Sequence, residues 1–135
     1  LRLANAKGLR QMLAEAARRP RRKTLHALRL KVKSIRYQEE WILGRPFARP
    51  DLVSQLKQAQ TILGDYEERA QFKKLAAKLN LKSFERIEKD WRRARNRARV
   101  VPSTLGSVAE QMAGRHLRLV RSEPVASRPE TSKSA

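Results

Sequence analysis

RKTLHALRLKVKSIRYQEEWILG, running from Arg22 to Gly44, decides the fold. Leu25, Leu28, Val32, Ile35 and Ile42 recur at spacings of three, four, three and seven. That is the repeat of one buried helix face, with no strand-like alternation competing. The helix starts either with Thr24 as its cap, leaving Arg21, Arg22 and Lys23 outside, or just after Pro20. Gly44 closes it, and Pro46 and Pro50 bracket a short loop.

The same period extends in both directions. Upstream, residues 1–18 carry Leu3, Leu9, Met12, Leu13, Ala16 and Ala17 among helix-favouring polar residues. Gly8 weakens this helix slightly and Pro20 ends it. Downstream, Asp51 suits an N-cap, and Leu52, Leu56, Ala59 and Leu63 keep helical spacing. Gly64-Asp65 is a point where that helix kinks or breaks. The pattern resumes with Phe72, Leu75, Ala76 and Leu79, and Asn80 suits a C-terminal position. Ser83 opens a last strong helix with Phe84, Ile87, Trp91, Ala94 and Ala98 on one face, stopped by Pro102. The expected fold is all-α, an antiparallel four-helix bundle over residues 1–101. Residues 102–135 read as a largely disordered tail, with room for a weak helix over 105–120 and disorder over 122–135.

Charge then narrows the function. The 135 residues carry 32 Lys and Arg against 13 Asp and Glu, a formal net charge of +19. Of these, 27 basic and 10 acidic residues lie in the first 100, so the excess belongs to the folded part rather than to a basic tail. Self-repulsion at this charge costs stability, which makes a polyanionic partner the first expectation. With 40% apolar residues, the chain is too hydrophobic for a disordered polybasic segment. Zero cysteines exclude disulfide scaffolds, Cys-bound zinc, iron–sulfur clusters and thiol catalysis. His26 and His116 are too few and too far apart for a metal site. No apolar run approaches the ~18–20 residues needed to cross a bilayer, and no membrane partner is expected. The chain begins at Leu1 rather than Met, which reads as a processed, excised or fragmentary start.

At 100° per residue, Arg22, His26, Arg29, Lys33 and Arg36 fall within an arc of about 80°, over roughly 21 Å of axis. The Leu25–Ile35 stripe borders this arc on one side, and Tyr37, Leu30 and Trp41 border it on the other. Ordinary surface charge lies opposite the core, not between two apolar margins. One reading is a solvated face whose long stems lie over the core edge. The sharper reading is a lined groove for a string of phosphates, with arginine forks and a lysine point charge. Like charges at these spacings repel, and the stripe meets no acid before Glu40 unless a neighbouring helix supplies one. Taken alone, His26 is more naturally a packed or hydrogen-bonded side chain than a catalyst; within the stripe it becomes a donor to phosphate.

Other constellations say less. Arg92, Arg95 and Arg99 lie beside Trp91, with Lys89, Arg93 and Arg97 covering more of the same helix. They read equally as a second basic wall or a generic basic face. Asp65, Glu67 and Glu68 cluster at the expected kink, where structural roles (capping, or neutralising cations opposite) are favoured over holding a metal. No glycine-rich phosphate loop, HExxH or nucleophile elbow is present. Neither a catalytic residue, a metal nor a cofactor is assigned.

The stretch from Leu25 to Tyr37 resembles the signature of the CHAD family, the conserved histidine α-helical domain. His26, Arg29, Lys33, Arg36 and Tyr37 match that signature in place. Leu56 through Gly64 is similar to the family's L-Q-x-x-L-G segment, but Glu67 and Glu68 stand where the family carries an Asn-Asp or His-Asp pair. Trp91-Arg92-Arg93 resembles the closing basic helix. The resemblance covers about residues 1–100 and implies an all-helical fold of two related bundles around a basic channel. It also implies binding of inorganic polyphosphate without catalysis, and with the cationic faces read above the expected binding residues are Arg22, His26, Arg29, Lys33, Arg36, Tyr37, Lys89, Arg92 and Arg93. This chain has one such motif and about half the family's length, so it resembles a C-terminal half. A missing N-terminal half or a second copy would complete the channel. The implied setting is the cytoplasm, at polyphosphate granules.

Two alternatives stand beside polyphosphate binding. A nucleic-acid-binding domain shares the charge, but 5% aromatic residues are sparse for a single-strand stacking platform. Nucleic acid is therefore expected as a weaker competing polyanion. A phosphate-processing enzyme would need a carboxylate-held metal or a nucleophile, and neither is visible.

Overall fold

The computed structural model describes residues 2–45 and 48–126, with side chains over 2–45 and 48–114. Four helices follow in order: α1 Arg2–Arg18, α2 Arg22–Trp41, α3 Pro50–Lys78 and α4 Phe84–Ala126. Among the described residues there is no strand. Each helix packs on its chain neighbours and α1 packs on α4, so the bundle closes as a ring with α2 and α4 on one diagonal. The expected all-α four-helix bundle is the observed architecture.

The helix ends show how the sequence sets the turns. Arg21 is the N-cap of α2, and Thr24 sits in its first turn rather than at the cap. The Arg21 amide donates to Thr24 Oγ1 at 3.0 Å, and that hydroxyl in turn lies 2.5 Å from the Arg19 carbonyl. Helix α2 stops at Trp41, and Gly44 lies beyond it with φ +91, a value that suits glycine. Pro46 lies outside the described residues. Arg49, not Asp51, caps α3, because Pro50 occupies the first helical position where a missing N–H costs nothing. Asp51 serves instead as the acid of the first turn. At the other end Asn80 adopts φ 57. The Leu81 amide donates to Ala76 O at 3.2 Å and the Asn80 amide to Ala77 O at 3.3 Å, a Schellman closure.

Two expected breaks are absent. Helix α3 runs through Gly64 without interruption. Helix α4 runs through Pro102, so the boundary expected there is corrected. An interior proline costs about 3 kcal/mol. Beyond it Leu105, Val108 and Met112 are at most 1% exposed, and each contributes about 1.5–3 kcal/mol by burial. Together they outweigh the proline. Ser103 and Thr104 add hydroxyl bonds to the carbonyls of Val100 and Val101, at 2.7 and 2.8 Å. Residues 103–112 are therefore part of the bundle, not a tail. Helix α4 is described as far as Ala126, and 127–135 lie outside the described residues.

The core combines Leu9, Leu13 and Ala16 of α1 with Leu25, Leu28, Val32 and Ile35 of α2. Leu52, Leu56, Ala59, Leu63 and Tyr66 enter from α3, and Ala94 through Met112 from α4. A salt bridge locks the first corner: Arg2 Nε donates to Glu39 Oε1 at 2.8 Å, and Glu39 is 4% exposed. Phe72, Leu75 and Leu79, expected on the buried face of α3, are instead about half exposed or more; only Ala76 of that segment is buried.

Candidate functional site

The four inward leucine-type residues of α2 turn its cationic arc toward the seam with α3. Arg29 and Arg36, one heptad apart, point along this seam. Across it stand Lys57, Gln60, Thr61 and Gly64 of α3, at helical spacing. Together with Asp65 and Glu68 they line an open cleft of about 680 Å³. Its floor holds three buried polar atoms without a hydrogen-bond partner: Arg29 Nε, Arg36 Nε and Gln60 Oε1. Arg29 packs over Gly64, where a Cβ would make ordinary contact 3.5 Å from the guanidinium Nε.

Carboxylates occupy part of the cationic row. Glu67 reaches from α3 to two members, 2.7 Å from His26 Nδ1 and 2.9 Å from Arg29 Nη1. Glu40 lies 3.9 Å from Arg36 Nε and 3.4 Å from Lys57 Nζ. These acids lie beside the arginine planes, and Nε of both arginines is left without a hydrogen bond. Lys33 and Arg36 also lie over the Tyr37 ring, 5.8 and 4.7 Å from its centroid. Arg22 is exposed at the start of the helix, and no acid among the described residues pairs with it.

The expected double border is half realised. Leu25, Leu28, Val32 and Ile35 are buried at 1% exposure or less. The opposite border is bare: Leu30 and Tyr37 are 50% exposed and Trp41 83%. The row thus runs beside a wall on the α3 side and an uncovered apolar ridge on the other.

Arg22, His26, Arg29, Lys33, Arg36 and Tyr37 share this face of α2. Lys89, Arg92 and Arg93 do not join them. They lie exposed on the outer surface of α4, diagonally across the bundle, and Arg92 is tied to Glu88 at 2.8 Å. The row and these three thus stand on helices that are not neighbours in the ring. The acidic cluster resolves into separate partners. Asp65 bonds Arg69 at 3.1 Å, Glu67 pairs with His26 and Arg29, and Glu68 stands at the cleft. Among the described residues no three His, Asp or Glu side chains converge as a metal site would require.

Sequence reasoning missed Lys57, Gln60 and Thr61. Their signal was spacing: with Gly64 they stand at i, i+3, i+4 and i+7, a polar stripe on the α3 face next to the Leu52–Leu63 stripe.

No known family, curated protein or solved structure matches this chain.

Proposed function

We propose that this chain binds inorganic polyphosphate without acting on it, along the seam between α2 and α3. The carrying observation is the pair of buried Nε donors on Arg29 and Arg36 that make no hydrogen bond, with Lys57 opposite. A buried donor left unmade costs about 1–3 kcal/mol, which an incoming phosphate oxygen returns as binding. The two arginines stand seven residues apart, roughly 10.5 Å along the axis, so a chain of linked phosphates reaches both. Arginine forks supply direction, and Lys33, Lys57 and Arg22 supply field. The resemblance of Leu25–Tyr37 to the CHAD signature supports polyphosphate as the polyanion. On this reading the protein works in the cytoplasm, at polyphosphate granules. The bare Leu30–Tyr37–Trp41 ridge supports a second bundle facing α2, from another copy or from elsewhere in a longer chain. Mass by light scattering, with and without long-chain polyphosphate, separates a pairing module from a lone half.

The test is retention of polyphosphate by a Lys33→Glu/Arg36→Glu variant. Retention is expected to vanish while the helical circular dichroism spectrum persists. Unchanged retention would remove these residues from the site. Binding should also weaken steeply with salt, because each phosphate contact releases counterions.

One observation favours a second reading, nucleic-acid binding. Tyr37 and Trp41 are exposed beside the cations and offer faces on which bases stack. Competition decides: DNA that displaces polyphosphate only at large phosphate excess supports the first reading, and tight sequence-selective binding supports the second.

A further inference from the structure

Helices α3 and α4 outrun the four-helix core at their shared turn. Between Tyr66 and Ala94 only Ala76 is buried, and beyond Glu67, Glu68 and Trp91, which still touch the bundle, residues 69–90 form a two-helix projection. Side-chain contacts brace it from its base, where Asp65 borders the cleft, to α4. Arg69 lies 3.1 Å from Asp65 on its own helix and 3.7 Å from Asp90 on α4, and Lys73 Nζ stacks 3.5 Å from the Trp91 ring centre.

The tip has two unusual properties together. Phe72, Leu75 and Leu79 share one face of α3 at i, i+3 and i+7, and they are 51%, 49% and 59% exposed. Leu81 continues the patch into the turn at 39%. Single exposed apolar residues are ordinary, but a contiguous group marks a contact surface. Around it Lys73, Lys74, Lys78, Lys82 and Arg86 face a single acid, Glu85, within residues 71–86.

We infer that this tip docks on an anionic lipid surface, with Phe72, Leu75, Leu79 and Leu81 entering the headgroup boundary and the lysines meeting the anionic headgroups. Charge decides among occupants. Two copies meeting tip to tip would bring like charges together, whereas an anionic bilayer complements both the apolar patch and its cationic rim. Among the described residues no helix is long and apolar enough to cross a membrane, and interfacial docking does not need one, because it asks only for an apolar face beside a basic one.

The test is co-flotation of the full chain with phosphatidylcholine vesicles, with and without phosphatidylserine. Binding is expected only when phosphatidylserine is present. Because the chain carries +19, charge alone draws it to such vesicles, and the apolar patch must be read separately. Leu75→Glu/Leu79→Glu, at exposed positions, is expected to cut vesicle binding at least about tenfold with the helical spectrum kept. Leu75→Ser/Leu79→Ser, which leaves net charge unchanged, is expected to fall by a similar factor. Lys33→Glu/Arg36→Glu is expected to retain most vesicle binding. Failure of the unmodified chain to bind would overturn the inference. So would full binding by both leucine variants, which would reduce the effect to bulk charge. A fall in solution mass from dimer to monomer in the serine variant would also overturn it, by making the patch an interface between copies.

Discussion

Glu67 of α3 places one carboxylate oxygen 2.7 Å from Nδ1 of His26 on α2 and the other 2.9 Å from Arg29. The protein thus supplies its own anion to the row of cations that the sequence lines up for a foreign one. The acid offsets the charge of Arg29 in the unliganded state, and it competes with any phosphate that approaches His26 and Arg29.

Replacing Glu67 with Gln is expected to raise polyphosphate affinity by about fivefold, the equivalent of roughly 1 kcal/mol for one partly exposed ion pair. Thermal stability should fall modestly at the same time. Titration with long-chain polyphosphate and a melting curve measure both. Weaker binding by this variant would mean that Glu67 positions the cations more than it competes for them.

Gly64 separates space from stability. In Gly64→Ala the new Cβ makes ordinary contact with Arg29 and removes a helix-interior glycine, so the midpoint of melting should rise, by about 1 kcal/mol of stability. Gly64→Leu fills the cleft beside the guanidinium and is expected to weaken polyphosphate binding about tenfold or more, with the fold retained. Equal binding by the two variants would exclude the cleft floor from the site.

Leu105 reports on the stretch after Pro102. It is 1% exposed, and Leu105→Ala is expected to cost about 2–5 kcal/mol in chemical denaturation. A disposable tail would give a change near zero.

Glu39 is buried and held by Arg2. Arg2→Ala leaves that carboxylate without its bidentate partner and is expected to cost about 3 kcal/mol, whereas the double change Arg2→Met/Glu39→Met should recover much of the loss. Denaturant midpoints of the two variants provide the comparison.

The fold was legible where local rules and packing agree. Leu25, Leu28, Val32 and Ile35 announced α2, and all four are buried. The sequence misled where a local rule met a stronger tertiary one. Pro102 carried a stop signal, yet Ala94, Ala98, Val101, Leu105, Val108 and Met112 keep a four-three repeat straight across it, and their burial wins. Phe72, Leu75 and Leu79 kept helical spacing but extend beyond the helices that would cover them, which no spacing reveals. Of the site, the α2 row could be read because its residues lie on one helix. The α3 wall could not, because pairing Arg29 with Glu67 and Arg36 with Lys57 depends on the register between two helices. For the same reason Lys89, Arg92 and Arg93 were grouped with a row from which the bundle separates them.

The most direct measurement compares two variants with the same charge change. Arg36→Glu/Lys57→Glu alters the seam between α2 and α3, and Lys89→Glu/Arg93→Glu alters the outer face of α4. Affinity for long-chain polyphosphate at fixed salt is expected to fall at least about a hundredfold in the first and only a few-fold in the second. Equal losses in both would contradict a located site and leave the net charge of +19 as the whole cause of binding.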